Sequence, residues 1–358
     1  MTEHNEAEAG LYDLACQLLK IHQSLLKDAN RNRAFYQALE ESVNKESSVV
    51  DIGSGSGIWA IAAAKMGARR VVAIEQETLL VGLIRALARD NGVADRVEVI
   101  QGNAGQIELS REFDVIISET IGHLIFDEQI VQIMIDARKR FLKPGGVLIP
   151  KSVALMVAPA HLAQEPEKLP VGIKVNYDYF ESLLLNVPVG LTDKSLLKIL
   201  GEPRDLVRID LESAESRPDL TSLKAVWPNL ETKGVNGFAV WAEARLSQDV
   251  NVATIDTTSW STIVYPIRPF QAEEGKLELD LMLTSNTNYW TATLSKGEQQ
   301  EVQSYSPAFA GTELLAQTRT TADTFGHLKS LGLLGRPRQV LPGREPPDPS
   351  MGGVKKTL

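Results

Sequence analysis

The chain has 358 residues, with 37 Lys and Arg against 46 Asp and Glu for a formal net charge of −9, 43% hydrophobic and 23% charged residues, and one cysteine, Cys16. At ~150 residues per domain this fits roughly two globular domains, and the composition excludes global disorder, collagen-like repeats and coiled coil. The acid excess argues against nucleic-acid and anionic-membrane binding and is compatible with a cationic substrate, while a single cysteine excludes an internal disulfide or a cysteine zinc site and suits a reducing compartment.

The opening MTEHNEAEAG is acidic and polar, unlike a secretory signal, and no run approaches the ~20 apolar residues of a membrane span. A cytoplasmic protein with no membrane partner is expected. Leu11, Leu14, Ala15, Leu18, Leu19, His22, Leu25 and Leu26 recur at helical spacing, and a second helix is expected over 31–43. From 48 to 150 strands and helices alternate. Strands are expected at 49–52, 71–75, 97–101, 113–119 and 147–149. Helices are expected at 58–66, 78–91 and 129–141, with tight turns at 53–57 and 143–146. This grammar implies a parallel sheet covered on both faces. After Pro150 the pattern becomes antiparallel β, with strands at 153–157, 206–211, 237–246, 260–267, 276–284 and 289–294 suggesting a barrel or sandwich. Val240, Ala242, Ala244 and Leu246 alternate there with Trp241, Glu243 and Arg245. The stretch 177–199 reads as helical, and the Pro/Gly-rich tail from Gly343 reads as disordered.

Asp51-Ile52-Gly53-Ser54-Gly55-Ser56-Gly57 follows a strand and opens a helix. Glycines there permit a tight turn and close approach of a ligand to the backbone. Ile58 stands where a dinucleotide fingerprint needs its third glycine, and no Gly-Lys-Ser/Thr follows, which excludes a triphosphate loop. Glu75 ends the next strand, 18 residues beyond Gly57, where a carboxylate accepts hydrogen bonds from ribose hydroxyls. A ribose without a pyrophosphate points to S-adenosylmethionine, with a nicotinamide dinucleotide as the alternative.

Glu119 ends the strand FDVIISE, and Glu128 follows nine residues later at a helix start. Ligands of open α/β sheets bind at the carboxyl ends of strands. Two carboxylates brought together need a cation between them, and a planar guanidinium suits that role. The plainer reading is a strand-end acid plus an acid favoured by a helix dipole. Glu119, His123 and Glu128 are also metal-ligand types, but no other ligand cluster supports a metal and none is expected.

Three segments resemble the protein arginine N-methyltransferases. VVDIGSGSGIWAIAAAKMGARRVVAIE is similar to their cofactor motif, SETIGHLIFDE to their double-glutamate loop, and IHQSLLKDANR to the helix that folds over the cofactor. Thr258-Ser259-Trp260 falls where the family has Thr-His-Trp, and Pro150 where a proline joins two domains. The resemblance implies an α/β Rossmann-like methyltransferase domain followed by a mostly antiparallel β-barrel domain with a helical arm. It divides the chain into a helical cap (1–45), a cofactor domain (46–150), a substrate domain (151–310) with a dimerisation arm near 177–200, and a tail (311–358). It implies S-adenosyl-L-methionine held by His22, Arg31, Asp51, Gly53, Gly55, Gly57, Glu75, Ala104 and Gly105, with Arg31 on the methionine carboxylate. Glu119 and Glu128 would be catalytic, clamping the guanidinium of protein arginine or free L-arginine beside His123 and Trp260. A homodimer through the arm is implied. Ser259 replaces the family's histidine, so the pairing of that histidine with the acid at Asp28 is absent. Thr120-Ile121 and His123 also depart from the usual loop. Other expectations are a methyltransferase for another amine or oxygen nucleophile, and a non-catalytic scaffold subunit.

Overall fold

A computed structural model of the chain describes residues 2–126, 128–163, 176, 178–284 and 288–307, with side chains from Asp13 onward except Leu14. Tyr177 and the expected tail 311–358 lie outside the described residues. α1 (Thr2–Lys27) and α2 (Ala29–Ser42) lead into a five-stranded parallel sheet of β1 (Ser48–Ile52), β2 (Arg70–Glu75), β3 (Val97–Gln101), β4 (Phe113–Ser118) and β5 (Leu142–Ile149). Its strand order is β3-β2-β1-β4-β5. Every residue of β1 is buried, as a central parallel strand with helices on both faces requires. Between the strands run α3 (Ile58–Lys65), α4 (Thr78–Asp90) and α5 (Ile130–Arg140). α4 buries Leu80, Val81, Ile84 and Ala88, one stripe of a helix laid on a sheet.

The strand order changes direction between β1 and β4. Their carboxyl ends therefore flank the crevice where ligands of such sheets bind. Gly53 follows β1 and Glu119 follows β4, so topology alone brings two of the expected site loops together. Asp28 caps α2, its Oδ1 accepting from the Arg31 amide at 3.1 Å. α2 buries Arg31, Phe35, Ala38 and Leu39 at helical spacing, which turns Arg31 inward.

Beyond Pro150 come β6 (Ser152–Leu162), α6 (Asp178–Leu184), β7 (Val189–Leu191), β8 (Leu197–Ile199) and β9 (Arg204–Asp210). They are followed by β10 (Leu223–Glu231), β11 (Gly237–Arg245), β12 (Asn251–Ala253), β13 (Thr262–Pro266), β14 (Glu274–Leu283), β15 (Asn288–Lys296) and β16 (Gln299–Tyr305). A seven-stranded sheet runs β7-β13-β11-β6-β8, with β12 also on β11 and β9 on β6, and a four-stranded sheet runs β10-β14-β15-β16. The expected barrel is thus recorded as two antiparallel sheets rather than one closed ladder. A continuous apolar core joins Ile117, Ile121 and Ile149 of the first half to Val153, Phe238 and Tyr265 of the second.

Several local expectations are corrected. The stretch expected to be helical from 177 to 199 is helix only over Asp178–Leu184, then gives β7 and β8. Lys143–Gly146 forms no separate turn but lies within β5, where pairing with β4 is irregular between Phe113 and Val115. Trp260 precedes β13 instead of starting it. β10, β12 and β16 were not foreseen; QQEVQSY is too polar to signal a strand. The alternation in β11 suggests one buried face, yet both are covered over residues 237–242, where Ala239 and Trp241 join a cluster with Ala154 and Met156 that Leu197, Ile199, Ala253 and Ile255 pack against.

Candidate active site

At the end of β1 the chain turns through Gly53, Gly55 and Gly57, with φ of +69°, +55° and +78°. A Cβ on Gly53 would stand 2.7 Å from Thr120 Cγ2, and one on Gly55 2.6 Å from His22 Cε1. Left-handed backbone and close approach both demand glycine here. The buried Glu75 carboxylate holds this loop. Its Oε2 accepts from the Gly55 amide at 2.8 Å, and its Oε1 from Gln76 and Glu77 at 2.8 and 2.9 Å. Burial lowers the His22 imidazole's affinity for a proton, the Glu75 charge opposes this, and Arg31 adds to the lowering. Asp51 is fully buried. Its Oδ2 accepts from the Ala60 amide at 3.1 Å, and its Oδ1 has no hydrogen-bond partner. Burial pushes the Asp51 carboxyl up to about 7. Ala104 and Gly105 begin the turn after β3, which is tied to the crevice by a Gly102 amide donating to Glu75 O at 2.9 Å.

Across the crevice, Ser118 Oγ donates to Ile52 O at 2.9 Å and lies 3.1 Å from Thr120 Oγ1, joining the loop after β4 to that after β1. Glu119 forms an ion pair with Arg31, both almost wholly buried. The Arg31 guanidinium also donates to Asn32 Oδ1 at 2.7 Å. It lies 5.9 Å from the Phe35 ring centroid and 5.6 Å from those of Trp59 and Trp260, within cation–π range. Burial pulls Arg31 down to about 10, against attraction from Asp28, Glu128 and Asp51, so it stays charged at neutral pH. Glu119 and Glu128 thus both act on one guanidinium, the first by ion pairing and the exposed Glu128 by charge. The loop carrying them holds two non-glycine residues in left-handed backbone, Ile125 at φ +56° and Gln129 at +62°. Each such residue stores about 1–3 kcal/mol that the surrounding packing must sustain.

Asp28, three residues before Arg31, takes the Arg31 amide, and the guanidinium goes to Glu119. Asp28 Oδ2 further accepts from Thr258 N at 2.9 Å, Ser259 N at 2.8 Å and Ser259 Oγ at 2.6 Å. The side chain at 259 was expected to leave Asp28 without a partner, yet Ser259 donates to it through both its hydroxyl and its amide. Burial alone would raise Asp28, but these bonds hold it below the usual carboxylate range. His123 Nδ1 accepts from Ser261 N at 3.0 Å, which brings the glutamate loop to the segment bearing Trp260. Phe35 and Trp59 were missed as walls of the site; only the burial of Arg31 on the same helix face as Phe35 could have signalled one of them. Among the described residues, no three His, Cys, Asp or Glu side chains cluster as metal ligands.

The fold is a Rossmann-like α/β domain followed by an antiparallel β domain, with the crevice at the carboxyl ends of the parallel strands. A family model described as ribosomal protein L11 methyltransferase (PrmA) matches residues 33–153. The chain is similar in sequence and fold to protein arginine N-methyltransferases. It is 28% identical over 251 residues to the probable protein arginine N-methyltransferase 6 of Arabidopsis thaliana, covering 67% of this chain and 58% of that protein, so less than two thirds of that relative is spanned. It is 27% identical over 325 residues to the Arabidopsis protein arginine N-methyltransferase PRMT10, covering 78% of this chain and 84% of that one. The solved Trypanosoma brucei PRMT1 enzyme–prozyme heterotetrameric complex with AdoHcy shares the fold, with a TM-score of 0.65 and 20% identity over 80% of this chain and 97% of that one.

Proposed function

We propose that this chain is an S-adenosylmethionine-dependent N-methyltransferase that transfers a methyl group to an arginine guanidinium. One observation carries the reading. At the switch point of the sheet, a carboxylate already holds a guanidinium against an aromatic wall, as Glu119 holds Arg31 beside Trp260. The names of the sequence relatives and the AdoHcy in the solved relative support the same reaction and cofactor.

The residues present suit that cofactor. Gly53, Gly55 and Gly57 leave a cradle that a Cβ would fill. Glu75 would accept from the ribose, with Asp51 beneath the loop, His22 over it, and Ala104 and Gly105 beside it. Arg31 would hold the methionine carboxylate. The cofactor supplies an electrophilic methyl on a sulfonium. Glu119 and Glu128 would clamp the substrate guanidinium, draw its positive charge toward the bound nitrogens, and leave electron density on the nitrogen that attacks. The same clamp aims that nitrogen, and in-line displacement depends mostly on aim. Trp260 and His123 would line the slot. The buried Trp59 and Trp260 exclude water on their side of the slot and strengthen the contacts there.

The relatives' names favour arginine within proteins. The altered loop, with Thr120, Ile121 and His123, keeps free L-arginine as a substrate to test. We assign 1–45 as the cap, 46–150 as the cofactor domain and 151–310 as the substrate domain. We also place the protein in the cytoplasm as a homodimer, whose contact uses the exposed Tyr179, Phe180 and Leu184 of α6. The test incubates pure protein with labelled S-adenosylmethionine and free arginine, an Arg/Gly-rich peptide or a protein extract, then identifies methylarginine by mass. Methylarginine is expected in at least one. Its absence from all three, with S-adenosylhomocysteine still bound, would move the reading to a non-catalytic subunit.

A further inference from the structure

Trp260 lies in a loop, 256–261, that side chains from three distant parts of the chain hold in place. From the cap, Asn30 Nδ2 donates to Asp256 O at 2.7 Å, and Asp28 accepts from the amides of Thr258 and Ser259. From the glutamate loop, His123 accepts from Ser261 N. The third hold comes from Lys194, in a short turn between β7 and β8. Its Nζ donates to Thr257 O at 3.0 Å and to Trp260 O, 66 residues away. A carboxylate thus takes two amides of the loop while an ammonium takes two carbonyls. Each charge meets the end of the peptide dipole that suits it, and charge-assisted bonds of this kind are the strong ones. Asp193 fixes the turn, its Oδ1 accepting from Ser195 N at 2.9 Å. Trp260 is only 5% exposed, and its ring faces the guanidinium of Arg31.

We propose that Lys194 is a positioning residue of the guanidinium slot: its ammonium fixes the backbone from Thr257 to Trp260, and thereby the indole that walls the slot. Use of the slot for substrate rests on the function proposed above; the hold on Trp260 does not. Lys194 is half-buried and four carbons long, so it bridges the turn between β7 and β8 to the loop that bears Trp260. Lys194→Met keeps the apolar stem and removes both donated bonds. Two carbonyls then lose their partner, and the loop gains freedom around Trp260.

The test labels the protein with 5-fluorotryptophan, which gives one fluorine signal for each of five tryptophans. The signal missing from Trp260→Phe is that of Trp260. Lys194→Met is expected to shift or broaden that signal and leave the other four unchanged. It is also expected to raise KM for an arginine peptide roughly tenfold, the size expected from losing a charged hydrogen bond. The affinity for S-adenosylhomocysteine should stay within about twofold, since the bonds lost touch only the slot wall. Lys194→Arg should restore both readings, and Lys194→Gln, smaller and neutral, serves if the methionine variant does not fold. An unchanged Trp260 signal, or an unchanged KM despite a changed signal, overturns the proposal. A wild-type chain that methylates no arginine, while Lys194→Met still moves the signal, overturns the proposed function and leaves the hold on Trp260 standing.

Discussion

Glu119→Gln keeps the side-chain shape and deletes one charge from a pair in which Arg31 is 3% and Glu119 8% exposed. Removing one partner of a buried pair costs about 3–5 kcal/mol, because the other ion stays buried without its match. Here the cost lies near the lower end. Asp28, Glu128 and Asp51 still attract Arg31, and three aromatic rings still face it. At roughly 2–4 °C per kcal/mol for a large domain, a loss of about 3 kcal/mol lowers the melting temperature by on the order of 10 °C. If the same carboxylate also holds the substrate, a similar loss in the transition state lowers kcat/KM by about 10²–10³. Cofactor affinity moves the other way. Arg31, no longer drawn to Glu119, is freer to meet a carboxylate, so S-adenosylhomocysteine binds as tightly as before or more tightly. Glu128→Gln separates the two roles: this exposed acid supports transfer but hardly affects melting. The assays are thermal denaturation, titration calorimetry with S-adenosylhomocysteine and radiometric transfer to an Arg/Gly-rich peptide. A Glu119→Gln protein that keeps full transfer, or that binds S-adenosylhomocysteine more weakly than wild type, refutes the assignment, and one that melts at the wild-type temperature refutes the buried pair.

Other substitutions probe the rest of the crevice. Gly55→Ala puts a Cβ within 2.6 Å of the His22 ring at φ +55°; calorimetry should show S-adenosylhomocysteine bound at least about tenfold more weakly, a result reversed if the glycine loop is not the cradle. Ser259→Ala removes the 2.6 Å bond to the buried Asp28. It should cost about 1.5–3 kcal/mol in urea unfolding, and a cost near zero would show that the bond is not needed. Asp51 gives a pH dependence. Its carboxyl titrates near 7 in the fold and near 3.8 in the unfolded chain, so the folded state holds this proton over a range where the unfolded state has released it. The stability it contributes is complete below about pH 4 and is lost as pH rises through 7. Asp51→Asn should flatten urea stability between pH 4 and 7 relative to wild type, and parallel curves for the two proteins would sink this account.

Much of the first half of the molecule was legible because its signals are local. The run SVVDI is apolar enough to be a buried strand, and three glycines in five positions leave few conformations for the turn after it. The distance from Gly57 to Glu75 is set by one helix and one strand, so Glu75 had to end beside the loop. The strand FDVIISE delivered Glu119 to the crevice by the same logic. In the second half the signals fade. β16 has almost no apolar alternation and exists because β15 offers it a ladder from Trp290 to Lys296. β11 alternates like a half-exposed strand, and its second face is covered only by residues distant in sequence, among them Ala154, Met156, Leu197 and Ile199.

The contacts that shape the site were harder to read, and for a physical reason. A helix stripe tells that Arg31 faces inward, but not which carboxylate lies at the end of its side chain. The near candidate in sequence, Asp28, is drawn away because its two oxygens cap α2 and bind the amides of Thr258 and Ser259. Those bonds close across about 230 residues. Once Asp28 is engaged with the backbone, the buried guanidinium must find another anion, and Glu119 at the adjoining strand end supplies it. Exchanging histidine for serine at 259 reads in sequence as a lost partner, yet a hydroxyl and two amides can satisfy the same carboxylate. Neutral donors at 258 and 259 thus hold the carboxylate at the position where the resemblance implies a histidine. Substitutions at such long-range contacts are therefore judged by which hydrogen-bonding capacity remains at the position, and not by the residue name alone.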